Sequence, residues 1–225
     1  MRRKETLTTG ETYHIFNKTI AGFKVFNFDE DYLRMKQMIV YYAIAETPMP
    51  FSNFLNLSVV KSNGIDLSLE EWSRSRSKLV QILAYCIMPT HFHLVLKQLK
   101  ADGITKFIGN LQNSYSRFFN TKRKRKGPLW VGRFKNVRVE TDEQLLHLTR
   151  YVHLNPVTAS LVTQPEDWAA SSFQEYLGAA NGRRICDYEG VLEINGKDYA
   201  AFVKDQADYQ KQLARIKKHL LDENL

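Results

Sequence analysis

The stretch that most constrains this chain is QILAYCIMPTHFHLVLKQ, residues 81–98. Two apolar, β-rich runs flank Pro89-Thr90, so the spacing predicts strands over about 81–88 and 91–98, joined by a tight turn. Runs this apolar sit in the middle of a sheet, and the second carries His91 and His93 on either side of Phe92. Residues i and i+2 of a strand project to the same side, so both imidazoles share one face and Phe92 takes the other. Buried imidazoles need partners for their ring nitrogens. Two of them, with backbones about 7 Å apart, can converge on a divalent cation. The blander reading of a bare H-x-H is two satisfied histidines at a sheet edge.

The rest of the chain supplies elements for such a sheet. TYHIFNKTI (12–20) reads as a strand, and residues 28–46 as a helix with Asp29 as its cap. TPMPFSNFLNLSVVKSNGID reads as irregular, and residues 67–81 as a short helix or a long connection. A second helix is expected over 103–123, with Ile104, Phe107, Ile108, Leu111, Tyr115 and Phe118 near one face. KNVRVE (135–140) reads as a strand. Asp142 is the expected cap of a third helix running to about Leu154, where Asn155-Pro156 should stop it. The order β-α-β-β-α-β-α predicts an α+β fold: a ferredoxin-like split β-α-β with a central antiparallel sheet and an extra helix. We place the main domain at residues 1–177 and a mostly helical C-terminal appendage at 178–225. The tail carries Lys204, Lys211, Arg215, Lys217 and Lys218, suited either to a polyanion or to covering the sheet.

Charge narrows the function. The chain of 225 residues has a net charge of +8 and a pI near 9.4. Between Arg117 and Arg138 it holds nine Lys/Arg and four large aromatics but no acid. Interleaved cations and rings suit a nucleic-acid strand, with charges on phosphate and rings under bases. Arg117, Lys122, Arg123, Lys124, Arg125, Arg133 and Lys135 are the expected phosphate contacts. Trp130 and Phe134 are stacking candidates, with core packing as the competing reading. No apolar run is long enough for a membrane span, and the first residues do not read as a secretory signal. Cys86 and Cys186 have no metal-ligand spacing and suggest a reducing, cytoplasmic setting, which for a DNA-binding protein would be the bacterial nucleoid.

The third helix, LLHLTRYVHLNPV, sets Tyr151 and Asn155 one turn apart on one face. His147 falls on that face and is a candidate base, whereas His153 points away. Tyr115, in LQNSYSRFFN, is the competing nucleophile, but Phe119 stands four residues later where Tyr151 has an amide. His14 could face the same site and is read as a satisfied sheet histidine.

PTHFHLVL after AYCIM resembles the histidine–hydrophobic–histidine signature of HUH endonucleases. RYVHLNPVTASLV followed by WAASSFQEY resembles the C-terminal signature of single-tyrosine HUH transposases, the IS200-like superfamily, in its REP-associated branch. YHIFNKTI and SYSRFFNTKRKRKGPLWVGRFKNVRV are similar to the same group, so the resemblance spans about residues 12–177. It implies His91, His93 and Asn155 as ligands of Mg²⁺ or Mn²⁺ and Tyr151 as the catalytic tyrosine. It also implies nicking and rejoining of single-stranded or hairpin DNA through a 5′-phosphotyrosine. Relatives include monomers and homodimers, so either state is compatible. The competing classes are a domesticated, non-catalytic single-stranded DNA- or RNA-binding protein of the same fold and a water-using phosphodiesterase.

Overall fold

The computed structural model describes residues 6–74, 76–179, 183–207 and 210. Of the tail lysines and arginines, only Lys204 is among them; Lys211, Arg215, Lys217 and Lys218 lie outside the described residues.

Four strands form one sheet: β1 (Thr12–Lys18), β2 (Val80–Met88), β3 (His91–Gln98) and β4 (Lys135–Val139), in the order β2-β3-β1-β4. Every pairing is antiparallel. This is the split β-α-β arrangement expected from the order of elements. β2 and β3, the most apolar segments, pair directly, and β3 lies in the interior of the sheet. Burial on both faces, rather than alternation, explains their nearly continuous apolar sequence.

The helices divide between the two faces. The long helix α5 (Gly103–Lys122) packs on β2 and β3, with α1 (Asp29–Tyr42) against it. Ile104, Phe107, Ile108, Leu111, Tyr115 and Phe119 are buried along its inner side. Gly103 lets the helix begin hard against the sheet, since a Cβ there would lie 2.4 Å from the Leu79 carbonyl oxygen. α6 (Asp142–Thr158) crosses the opposite face, touching β2, β3 and β4.

Three local expectations are corrected. The α1 helix starts at Asp29 itself: Phe28, one residue earlier, is the cap, and Asp31 accepts from the Asn27 and Phe28 amides at 3.1 and 3.3 Å. The α6 helix is capped by Thr141, whose hydroxyl accepts from the Gln144 amide at 3.1 Å. Asp29 and Asp142 instead lie in the first turns, where a carboxylate favours the helix dipole. The segment read as irregular holds two helices, α2 (Phe51–Phe54) and α3 (Ser58–Asn63), and a third, α4 (Ile65–Arg74), lies mostly in the residues read as a short helix or a long connection. They form because Phe51, Phe54, Val60 and Leu69 bury into the core, and that tertiary gain outweighs weak local signals.

α6 also runs one turn past its expected end. Pro156 has no N–H to offer the Val152 carbonyl four residues back. The Asn155 side-chain amide donates to Val152 O at 3.5 Å and to Tyr151 O at 2.9 Å. The asparagine thus covers the carbonyl that the proline leaves open, and the helix continues to Thr158.

C-terminal to α6 come α7 (Phe173–Tyr176) and α8 (Gly196–Lys204). α8 packs on α6, and Tyr199 and Val203 are buried.

Candidate active site

The register of the sheet builds the site. His91 pairs with Lys18, and His93 with Phe16, so these residues share the α6 face. His14 lies two residues before Phe16 and points the same way. Phe92, turned to the other face, packs against Trp130 with ring centroids 5.3 Å apart.

His91 and His93 come together, their ring centroids 5.1 Å apart and nearly perpendicular. Each has its Nδ1 engaged: His91 with the Thr90 hydroxyl at 3.0 Å, and His93 with His14 Nε2 at 2.9 Å. Neither Nε2 has a hydrogen-bond partner among the described residues. A neutral imidazole that donates through Nδ1 keeps its lone pair on Nε2. Burial keeps the rings neutral: it lowers His14 and His91 to about 4, with Lys18 adding to the effect on His91. It pushes His93 well below its ordinary value, helped by His14 and His91.

Tyr151 arrives from α6. Its ring meets His93 edge-on at 5.8 Å and His14 at 6.1 Å, and the residue is 42% exposed. Burial of part of the phenol raises its pKa, and the Asn155 side chain pulls the other way. Because the Asn155 amide nitrogen is committed to two backbone carbonyls, its carbonyl oxygen is left to accept or ligate. The back of α6 is fixed by His153, which bonds the Tyr199 hydroxyl and the Ser172 hydroxyl, each at 2.7 Å. His153 therefore points away, as expected, and anchors the helix that carries Tyr151.

Several candidates leave the site. The other tyrosine, Tyr115, is fully buried on the far side of the sheet and donates to Val25 O at 2.8 Å. His147 bonds Arg150 at 2.6 Å and packs on Phe202 of α8, and no contact links it to Tyr151 or the histidine pair. Trp130 is buried, donates to Gln112 O at 3.3 Å and packs on Phe92, so it is a core residue and not an open stacking platform. Phe134 is buried too.

The basic segment is sorted by the structure. Lys122 is tied to Glu30 at 3.0 Å and Asp31 at 2.9 Å, and Arg123 approaches Asp31 at 3.9 Å. Arg125 holds its own loop, donating to Asn120 Oδ1 at 3.0 Å and Pro128 O at 2.9 Å. Arg117, Lys124, Arg133 and Lys135 are exposed. The loop lies against the end of β1 through Val131 N to Lys18 O at 2.9 Å, beside His91. Lys135 pairs with Phe16 and so belongs to the histidine face. Sequence reasoning missed Lys18 and set His14 aside. The alternation His14, Phe16, Lys18 was readable, but the register that aligns it with His91 and His93 was not.

With this geometry in place, residues 65–155 match the family described as "Transposase IS200 like". Over this segment the chain is similar to the IS200-like transposases. The match runs from α4 through β3 to Asn155 and so takes in His91, His93 and Tyr151. A REP-associated tyrosine transposase solved with a REP hairpin has the same fold. It aligns at a TM-score of 0.54 with 15% identity, covering 87% of this chain and 99% of that one. A protein given as a candidate transposase from Deinococcus radiodurans R1 aligns at a TM-score of 0.35 with 16% identity, covering 68% of this chain and 95% of that one. No curated protein matches the chain in sequence.

Proposed function

We propose that this protein is an IS200-like transposase, a metal-dependent enzyme that cuts and rejoins single-stranded, hairpin-bearing DNA through Tyr151. The observation that carries this reading is the seating of the Tyr151 ring against His93, within one chain, with Asn155 one turn on bonded to the Tyr151 carbonyl. The REP-associated relative was solved with a hairpin, which supports hairpin DNA as the substrate form to test.

The donor set fits a divalent cation. His91 and His93 would offer neutral Nε2 lone pairs, and Asn155 its side-chain oxygen. An acid-free set of two imidazoles and an amide accepts Mg²⁺ and suits Mn²⁺ better. The described residues hold no group of three His, Cys, Asp or Glu side chains placed for a metal. His14 accordingly supports His93 rather than completing a histidine triad: it takes the Nδ1 proton and leaves Nε2 for the ion. The cation, when bound, neutralises non-bridging phosphate oxygens and polarises the scissile ester.

Tyr151 performs the displacement. Its phenol oxygen gives up a proton and attacks phosphorus, and the P–O3′ bond breaks. The departing oxygen takes a proton and becomes a 3′-OH, while the 5′-phosphate stays esterified to the tyrosine. Attack on that ester by another 3′-OH reverses the sequence and joins new ends without an external energy source. Lys18 and Lys135, exposed on the histidine face, would hold the flanking phosphates.

The test is a labelled hairpin with a single-stranded flank, incubated with Mg²⁺ or Mn²⁺ and run on a denaturing gel. We expect a covalent protein–DNA adduct that is absent with Tyr151→Phe and with His91→Ala. Nicking that survives Tyr151→Phe would make water the nucleophile and overturn the reading.

A further inference from the structure

On the face of the sheet away from the histidines, α1, residues 47–53 and α5 enclose a cleft of about 860 Å³. Arg34, Arg117 and Lys122 line it, together with the amides of Asn53, Asn110 and Asn113. None of the described lining residues is acidic. Arg34 is the unusual member. Its guanidinium is stacked between Phe51 and Phe118, 4.6 and 4.9 Å from the ring centroids. Its Nε is buried without a hydrogen-bond partner, and it forms no ion pair among the described residues. Burial lowers its pKa from the ordinary arginine value, with Tyr42 opposing, so holding the cation in place carries a desolvation cost.

We propose that this cleft is a second phosphate-binding site, which takes the nucleic-acid backbone beyond the segment bound at Tyr151. The proposal rests on the DNA-cutting reading above. Charge complementarity selects the occupant. A guanidinium fixed between two rings presents its N–H edge in one direction, which suits a phosphate oxygen better than a mobile lysine would. The surrounding carboxamides can donate to the same backbone. The route between the sites is also basic: Lys124 and Lys126 are exposed on the loop that runs from the end of α5 to the edge of β1 beside His91. At the cleft mouth Lys122 is held by Glu30 and Asp31. Arg34 and residues 47–53 lie outside the matched family segment of residues 65–155, whereas the α5 side of the cleft, with Arg117 and Lys122, lies within it.

The experiment is fluorescence-anisotropy binding against salt, with the full chain, of two probes. One is a hairpin with a long single-stranded flank. The other is a bare strand of about six nucleotides, near the small end of single-strand site sizes. Arg117→Gln, at an exposed position, and Arg34→Met, which keeps a long side chain between the two phenyl rings, should each weaken the hairpin probe several-fold. Each should also lower its log–log salt slope by about one, with a smaller loss on the short strand. Hairpin affinity and slope unchanged in both variants would overturn the cleft as a phosphate site. Equal losses on both probes would move these residues into the scissile segment and overturn the separate site. The reading at Tyr151 fails by a different result: a wild-type protein that binds the hairpin but forms no adduct with it.

Discussion

Tyr115 and Tyr151 make an instructive pair. Each stands on a long helix packed on the same sheet, one helix per face, and each is close to basic residues in sequence. Tyr115 is fully buried, and its hydroxyl is spent on the Val25 carbonyl. Its pKa is driven far up, by burial first and then by Asp31 and Tyr32. Tyr151 is partly open, its ring lies against two imidazoles, and burial raises its pKa with Asn155 opposing. Side-chain type and helix position are alike, so the partners decide. A phenol that already donates to a buried carbonyl holds a fold together, and a phenol beside unclaimed lone pairs is free to react.

The largest expected effect separates the two tyrosines directly. Tyr151→Phe should eliminate the covalent adduct and change stability by less than about 0.5 kcal/mol. Tyr115→Phe should keep the adduct and cost about 1–3 kcal/mol in urea unfolding, because the Val25 carbonyl is left buried and unpaired. An adduct lost in Tyr115→Phe and kept in Tyr151→Phe would reverse the comparison.

A second, smaller effect concerns the histidine that Tyr151 touches but that holds no ion. His14→Phe should weaken Mn²⁺ binding by about 10–100-fold in calorimetry, through loss of the acceptor that orients His93. His14→Gln, whose side-chain oxygen can accept the same proton, should recover part of it. Equal affinity in all three proteins would reduce His14 to packing.

The smallest effect is on stability against pH. His14 and His91 are held neutral down to about 4, and His153 to about 3, by burial. In the unfolded chain the same rings take up protons near 6.5. The unfolded state therefore binds more protons below that value, and stability should fall as pH drops from about 6.5 towards 4 and stay level above 6.5. Urea midpoints measured across that range check it. A midpoint that does not move between pH 7 and 4 would contradict the buried, neutral state of these rings on the Tyr151 side of the sheet.

Much of this was written in local pattern. The two apolar runs around Pro89-Thr90, the helical spacing of residues 103–123 and the order of elements are enough for a four-stranded antiparallel sheet, because burial and periodicity act over short stretches. The i, i+2 rule alone puts His91 and His93 on one side, and the one-turn spacing ties Tyr151 to Asn155. Other features depended on distant neighbours. Trp130 suited base stacking and core packing alike, and the packing of Phe92 against it shows a core residue. The helices between Phe51 and Asn63 formed where the local signals were weak, because the core accepted Phe51, Phe54 and Val60. Pro156 should have ended α6, and one side chain's hydrogen bond carried the helix onward. The partnership of His14 with His93 depends on strand register, a relation between residues 79 positions apart. Chain-local forces set which groups can share a face; which of them keep a free lone pair or a free hydroxyl is settled only when every other buried polar atom has found its partner.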